Sequence, residues 1–597
     1  MKNSKTLIIV ESPAKGQKIQ EYLGKDYIVM ASKGHITDLA KGGKHGLGVD
    51  INNDFKPHYV LSDDKIDILD ALLAASKKVD RIFVASDPDR EGEAIAWHLA
   101  TRLADTGKPI KRMVFNKIKK DLLQKAVTET RDIDMNLFHS QEARRILDRL
   151  VGFKASPFLM NFFGAKLSAG RVQSVVTKMV IDREREIENF IPEEFWTIQV
   201  NLTDNDGKKF TTKYINKILD LNTANNTKNL LDEEEYIILN VLAEEERKSP
   251  QAPLVTSTLQ RFMSKTEGFN AERTMKAAQS LYENGYISYI RTDSVRVSDE
   301  DIFAVRDWLT QNKMGVPQKP NVFKNKDSVQ DAHECIHPTD LSLQPNEDNY
   351  AIIDTDEKLV YKAVWNAFVA SQMLPAIYDT LTVIAHPKSN SNLKVKATGK
   401  SLKSEGFLKL FVSADDDKEI SKIEIPNLKE GAVVFLKEKK DLKMEKKATQ
   451  PPPRFSEDKL IKELVNKNIG RPATYAELLS KICSRNYVEK KGNVFHATDL
   501  GKKITDVLTQ YFSFMDYNYT AKMELQLDEI ENGKVDHIVM LKKFYPEFKE
   551  QLDKAYLNQG GFLCEKCGSP MITRDTKGGK FLACSSYPKC YNTRNIQ

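Results

Sequence analysis

The chain has no apolar run near the ~18 residues that a membrane-spanning helix needs, and the run from Thr6 to Val10 is too short for a signal-peptide core and leads straight into Glu11, Ser12 and Pro13. No membrane segment is expected, and the cytoplasm is the expected compartment. Cysteine is scarce, six in 597 residues, and four of the six fall in the last forty positions, which excludes a disulfide framework through the body of the chain. Charge of one sign is also lacking: 90 basic against 84 acidic residues leave +6, so the total identifies no partner and only local distribution can. No repeat with a fixed period is present. The run Lys396 to Ser401 ends like a phosphate-binding P-loop, but Lys394 stands where the first glycine is required, so no ATP site is expected.

What is present is chain enough for roughly four domains of ~150 residues. Thr6 to Val10 and Arg81 to Ala85 read as short buried strands, each followed by an acid and then a helical pattern, an α/β organisation that puts Glu11 and Asp87 on one rim of a sheet. From Phe138 to Glu188 the pattern is helical, interrupted at Gly152 and from Gly164 to Gly170. Residues 195–250 and 380–447 alternate like strands, with loop signals at Asn222 to Asn226 and Pro387 to Asn392. They flank a helical block, which predicts one discontinuous β domain with another inserted into it. The charged run Lys437 to Lys447 and Pro451 to Pro453 read as a linker, and a second helical block follows to about 557.

Asp87, Asp89 and Glu91 precede Ile95, Leu99 and Leu103 at helical spacing, so the acids sit at a strand-to-helix turn. Two like charges ~4 Å apart cost on the order of 4 kcal/mol at an effective dielectric near 20, a repulsion that Mg²⁺ removes. An isolated D-x-D-x-E is otherwise a solvated turn capping a helix. In the run Gly285 to Ser294, an extended backbone points Ile287, Tyr289 and Arg291 to one face, where a phenol and a guanidinium can meet one phosphate. Tyr282 and Tyr286 are assigned to packing.

Six motifs occur in one order: Ile9 to Lys15, Asp87 to Ala94, Ser168 to Ser174, the Tyr289 run, Pro451 to Arg454, and Ile469 to Tyr475. On these the chain resembles the bacterial type IA DNA topoisomerases, and the topoisomerase I members most. The resemblance implies a multidomain fold of α/β, α and β parts, a Toprim domain in a four-domain torus with a C-terminal zinc ribbon. Its expected bounds are 1–122 for the Toprim domain, 123–190 and 448–557 for a helical domain gripping single-stranded DNA, 191–250 and 378–447 for a β-rich arch, 251–377 for the inserted domain bearing the catalytic tyrosine, and 558–597 for the ribbon.

By the same resemblance Tyr289 is the nucleophile and Arg291 neutralises charge at the phosphate. Glu11 serves as general acid and base at the 3′ oxygen, Lys15 holds the scissile phosphate, and His333 contacts it. Glu11, Asp87, Asp89 and Glu91 would hold Mg²⁺. DNA contacts are expected from His35, Arg144, Arg145, Asp148, Phe153 (stacking on a base), Ser168, Ala169, Gly170, Arg171, Val172, Gln173, Arg291 and Thr474. Arg171 opens a helical segment, a place that favours phosphate, and is otherwise a surface arginine. Asp148 and Arg149 serve equally as structural ion-pair partners.

His333-Glu334-Cys335-Ile336-His337 satisfies the H-E-x-x-H pattern of zinc proteases, but Pro338 follows at once, Asp327 to Asp331 lack a long amphipathic helix, and no third ligand is apparent. His337 stands where the resembled family usually has arginine. Cys564, Cys567, Cys584 and Cys590 follow Cys-x2-Cys, sixteen residues, Cys-x5-Cys, a tetrathiolate zinc pattern. The tail is basic, with Phe562, Phe581, Tyr587 and Tyr591 interleaved. The expected activity is ATP-independent relaxation of negatively supercoiled DNA through a 5′-phosphotyrosyl intermediate, by a monomer acting on single-stranded or underwound DNA. The rivals are a topoisomerase III-like decatenase, a Toprim primase, which would need nucleoside triphosphates and make no demand on Tyr289, and a non-catalytic single-strand binder.

Overall fold

The computed structural model describes residues 5–41, 46–325, 333–345, 351–414 and 425–558, and in the tail 562, 564–568, 571–576, 579–584, 587 and 590–595. Asp327 to Asp331 lie outside the described residues.

Four parallel strands stand in the spatial order Tyr27–Ala31, Thr6–Val10, Arg81–Val84, Ile110–Arg112. After Thr6 and Arg81 the central strands are apolar because both faces are covered. Leu7, Ile9, Ile82 and Val84 pack against Ile95 and Leu99 of the helix Arg90–Leu103. Ile8, Val10 and Phe83 point the other way, into a cluster completed by Leu254, Leu281, Ile287 and Tyr289 from far downstream. The helices Pro13–Leu23 and Lys120–Thr128 share this cluster, which continues into the region that carries the tyrosine.

A second sheet is antiparallel and closes on itself. Lys209–Tyr214, Val395–Ser404, Ala376–Pro387, Glu235–Lys248, Val433–Phe435 and Glu194–Thr203 are neighbours in that order, and the first pairs again with the last. Between Glu235–Lys248 and Ala376–Pro387 the chain runs through the helices Thr256–Thr266, Ala271–Glu283, Asp299–Gln311 and Thr355–Ser371. The linker expected from Lys437 to Lys447 is instead largely a strand, Leu442–Ala448, paired with Glu194–Thr203. Leu442 reaches the barrel core while the lysines and glutamates face out, so the run's charge marks a guarded sheet edge. The loop expected at Asn222 to Asn226 is a helix, Leu221–Leu231. Asp220 caps it by accepting the Thr223 N–H at 2.8 Å, and Ala224, Thr227 and Leu231 give it a buried face.

The helices Tyr517–Glu531 and His537–Asn558 pack against Met135–Phe163, which Asp134 caps at its start and Gly164 ends at φ 63°. The break expected at Gly152 does not occur. Val151, Ala155, Phe158 and Leu159 are fully buried around it, and that packing outweighs the roughly 1 kcal/mol that one glycine costs a helix. Among the described residues no helix is long and apolar enough to cross a membrane. The tail is a three-stranded antiparallel sheet, Met571–Thr576, Gly579–Cys584 and Thr593–Asn595.

Candidate active site

Glu11 follows the end of the first strand, and Ser12 then caps the helix Pro13–Leu23, its hydroxyl accepting the Lys15 N–H at 3.3 Å. That cap aims Lys15 inward, where its ammonium pairs with the Asp87 carboxylate, both side chains almost wholly buried. Glu11 Oε1 accepts the Asp87 N–H at 2.7 Å, tying the ends of two strands together. Burial first, then the Asp87 and Asp89 charges against the opposing charge of Lys15, pushes the Glu11 carboxyl up to about 7.

The turn after Asp87 is held by backbone. A Cβ at Gly92 would stand 2.1 Å from the Asp87 carbonyl oxygen, so only glycine lets the helix Arg90–Leu103 start this close. Asp89 caps that helix, Oδ1 accepting the Gly92 N–H at 2.8 Å. Its other oxygen turns outward and accepts the Tyr289 hydroxyl at 2.5 Å, and Arg291 Nη1 lies 3.7 Å from the same oxygen. Tyr289 and Arg291 therefore share one face, although the run is not a regular strand: Ile287 makes a single bridge to Pro338, and the Tyr289 N–H is given to the Asn116 carbonyl at 2.8 Å. Burial, then Asp89 and Asp87, holds the Tyr289 phenol well above the ordinary tyrosine range, with Arg291 opposing. His333 Nε2 is 2.8 Å from the Pro88 carbonyl, on the turn between the two aspartates.

Glu91 does not turn toward Glu11 and Asp87. Its oxygens meet His35 Nε2 at 2.6 Å and Gln141 Nε2 at 3.2 Å, and these bonds bring its carboxyl down to about 2 against the opposing effect of burial. Asp87 Oδ2 is buried and has no hydrogen-bond partner, an uncompensated oxygen beside Glu11 that suits a hard divalent cation. The residues present fit Mg²⁺, with Glu11, Asp87 and Asp89 nearest to a shared site and Glu91 bound elsewhere.

A cavity of about 610 Å³ opens beside this centre, lined among others by Asp89, Arg291, His333, Arg144, Asp148 and Thr474. His35, Glu91 and Arg145 also line it; Phe153 and the run Ser168 to Gln173 do not. Phe153 is 47% exposed, and the Arg149 guanidinium lies 4.5 Å over its ring. Arg145 pairs with Asp38. The Ser168 N–H is given to the Tyr487 hydroxyl at 2.8 Å, that of Ala169 to Ser156 at 2.9 Å, and that of Gly170 to Ser174 at 3.2 Å. Val172 packs into the neighbouring core, and Gln173 keeps a buried Nε2 without a partner. Arg171 is no surface arginine: it is buried between Glu524 at 2.7 Å and Asp148 at 3.3 Å. Thr474 Oγ1 accepts the Arg471 N–H at 2.9 Å.

Sequence reading missed the acidic partners of these arginines. Glu524, Asp528 and Glu531 share one face of the helix Tyr517–Glu531, and their i, i+4, i+7 spacing is the signal that would have found them. Arg144 meets Glu524 at 2.6 Å, Arg90 meets Asp528 at 3.1 Å and Glu531 at 3.4 Å, and Arg471 binds Asp528. Arg144, Arg171 and Arg471 hold the Glu524 carboxyl below the usual range although burial alone would raise it. His337 is buried, stacked on Phe368, with Nε2 3.6 Å from Glu334 and 3.8 Å from Asp301. Lys117 pairs with both of those acids, so a lysine of the first region supplies the positive charge beside His337.

In the tail the four sulfurs lie within 4.8 Å of one another, with Cys564 to Cys590 at 3.6 Å and Cys567 to Cys584 at 3.3 Å, and none forms a disulfide. Ligands ~2.3 Å from one Zn²⁺ in a tetrahedron stand about this far apart.

Three family descriptions match the chain: "Toprim domain" over residues 6–118, "DNA topoisomerase" over 132–542, and "Topoisomerase DNA binding C4 zinc finger" over 561–597. The chain is similar to the full-length topoisomerase I of Thermotoga maritima in its monoclinic crystal form, with a TM-score of 0.81 and 32% identity over 99% of this chain and 97% of that one. The Toprim domain implies bound Mg²⁺ and the ribbon a structural Zn²⁺. A primase reading accounts for the first of these matches but not for the other two, and the decatenase reading is not favoured. The chain belongs to the bacterial type IA DNA topoisomerases, isomerases that relax DNA by transient cleavage of a single strand.

Proposed function

We propose that Tyr289 is the nucleophile of an ATP-independent relaxation of negatively supercoiled DNA. Its hydroxyl oxygen attacks phosphorus, the bond to the 3′ oxygen breaks, and a 5′-phosphotyrosyl link forms; religation runs the same exchange backward, so the phosphodiester is conserved without ATP. The observation that carries this reading is the contact of Tyr289 with Asp89 across 200 residues of sequence, with Arg291 on the same oxygen. The phenolic proton leaves along that hydrogen bond to Asp89, and Arg291 faces the charge that develops on the phosphate. Glu11, with its carboxyl near 7, gives a proton to the departing 3′ oxygen and takes it back on resealing. Lys15 and His333 hold the phosphate. Mg²⁺, when bound, supplies charge stabilisation beside Glu11, Asp87 and Asp89.

Single-stranded DNA lies along the cavity, its phosphates taking the place of Glu524, Asp528 and Asp148 at Arg144, Arg171 and Arg471, and of Asp38 at Arg145. His35 and Thr474 bound the path, and Phe153 stacks a base. The domains divide as 1–122, 123–190 with 448–557, 191–250 with 378–447, 251–377, and 558–597, in a cytoplasmic monomer. The test is a labelled oligonucleotide incubated with enzyme and Mg²⁺ and quenched with detergent. With the label at the 3′ end, native protein retains the fragment downstream of the cut covalently through its 5′ phosphate, and Tyr289→Phe retains none; an adduct in that variant would overturn the assignment.

A further inference from the structure

Tyr282, expected from the sequence only to pack, touches two residues of the cleavage centre. It lies near the end of the helix Ala271–Glu283 and is fully buried. Tyr289 meets its ring edge to face, with ring centres 5.4 Å apart and planes at 68°. Over the same ring stands the Lys15 ammonium, 4.9 Å from its centre. Lys15 belongs to the helix Pro13–Leu23 beside the parallel sheet, so this contact joins the two distant parts of the chain that meet at the site.

An ammonium carries three N–H donors, and among the described residues the one hydrogen bond of Lys15 goes to Asp87. Asp87 is also the carboxylate whose second oxygen is buried without a partner and suits a divalent cation. Once Asp87 serves a cation it holds Lys15 less, and the two positive charges repel. An aromatic face attracts a desolvated ammonium through its quadrupole yet carries no net charge. It keeps Lys15 in place without neutralising it, as another carboxylate would. The ring also stays neutral. Burial first, then the charges of Asp87, Glu11 and Asp89, holds the Tyr282 phenol well above the ordinary tyrosine range. Its hydroxyl lies toward Asp87 but makes no hydrogen bond of ordinary geometry, which leaves the ring face as the part the site uses.

We propose that Tyr282 is a positioning residue for DNA cleavage: its ring face seats the Lys15 ammonium, so that this charge stays at the scissile phosphate when Asp87 turns to a cation. The inference rests on the reading that Lys15 holds that phosphate. Seat and ammonium come from different regions, so Lys15 is fully held only while those regions are closed on each other.

The test uses the full chain and a 3′-labelled oligonucleotide, and times formation of the covalent adduct at saturating DNA. Tyr282→Leu should slow it roughly tenfold, the loss expected of one desolvated cation–π contact, with the Kd for uncleaved DNA unchanged. Tyr282→Phe should recover most of the rate. Trifluorophenylalanine at this position keeps the shape of phenylalanine but weakens the quadrupole, and should fall back toward the leucine value. Packing alone treats the two rings alike, so equal rates for them overturn the proposal. Tyr282→Leu added to Lys15→Met should cause no further loss; a full further loss would assign the ring to Tyr289 instead and overturn it too.

A second readout needs neither Mg²⁺ nor cleavage. In protein carrying ¹³C at the lysine ε-carbons, the Lys15 signal is the one absent from Lys15→Met. Under the ring current its protons should lie upfield of the other lysines in native protein and in Tyr282→Phe, and return among them in Tyr282→Leu. An ordinary position in native protein overturns the proposal, and this spectrum decides should the leucine variant fail to fold or Lys15→Met cut too slowly to time. Lys15→Met that forms adduct at the native rate would instead remove the reading of Lys15, and the inference with it.

Discussion

Two charge clusters each contribute residues to the wall of one cavity, Asp89 and Arg291 from one and Arg144, Arg471 and Asp528 from the other, and they solve opposite problems. At the cleavage centre the carboxylates of Glu11, Asp87, Asp89 and Glu91 outnumber the cations Lys15 and Arg291, and one buried oxygen of Asp87 is left uncompensated. At the helix Tyr517–Glu531 the guanidiniums of Arg90, Arg144, Arg171 and Arg471 are balanced by Glu524, Asp528, Glu531 and Asp148. The first cluster lacks a positive charge, and a bound cation supplies it. The second is balanced in charge, although Arg171 and Glu524 keep buried atoms without a hydrogen bond, so an incoming phosphate competes with carboxylates already in place. If the proposed DNA path runs here, these acids hold it in shape without DNA, and the cost of displacing them sets how strongly it grips.

Four measurements would break or sharpen that contrast. The largest effect is expected at the first cluster: Tyr289→Phe abolishes both the covalent adduct and relaxation of plasmid, while binding of an uncleaved oligonucleotide persists. Next comes the second cluster. Glu524→Ala leaves three guanidiniums facing one another, and loss of a buried charge partner costs about 3–5 kcal/mol. Chemical denaturation should show that loss, and a much smaller one would mean the cluster is not sealed from water.

A third measurement separates the clusters by pH. The Glu11 carboxyl lies at about 7 in the fold against an ordinary 4.5. Its stabilising contribution in Mg²⁺-free protein is therefore full below its unfolded value and lost as pH rises through about 7. Mg²⁺ binds the ionised form, so the Tm difference between Mg²⁺-bound and Mg²⁺-free protein should widen over the same window. A difference flat with pH would remove Glu11 from the ion's site. The smallest effect is expected at Phe153, exposed and outside both clusters. Phe153→Ala should weaken binding of single-stranded DNA by about 1 kcal/mol in a fluorescence titration and leave Tm unchanged.

Local chemistry made the cleavage centre legible in the sequence. Glu11, Lys15, Asp87 and Asp89 are set by short strand-to-helix turns with caps and an obligatory glycine, and their spacing is visible without tertiary knowledge. The partner of each arginine was not legible, because Glu524 and Asp528 reach Arg144, Arg171 and Arg471 from distant segments of the chain. The same limit explains the misread elements. Gly152 stays helical because neighbours bury around it, the Asn222 to Asn226 run folds on a capped apolar face, and the charged run after Lys437 is the polar rim of a barrel. In each, tertiary burial overrode a local propensity worth about 1 kcal/mol or less per residue.

On the proposed roles, strand passage would part Tyr289 from Glu11 while each keeps hold of one broken end. Ile8, Val10 and Phe83 of the parallel sheet and Leu254, Leu281 and Ile287 beside the tyrosine belong to one continuous cluster, so parting them wets oily surface on both sides. That exposure is unfavourable, so the closed contact is the lower-energy state and re-forming it favours closure. An enzyme that never releases its cut ends needs such a restoring force as much as it needs a nucleophile.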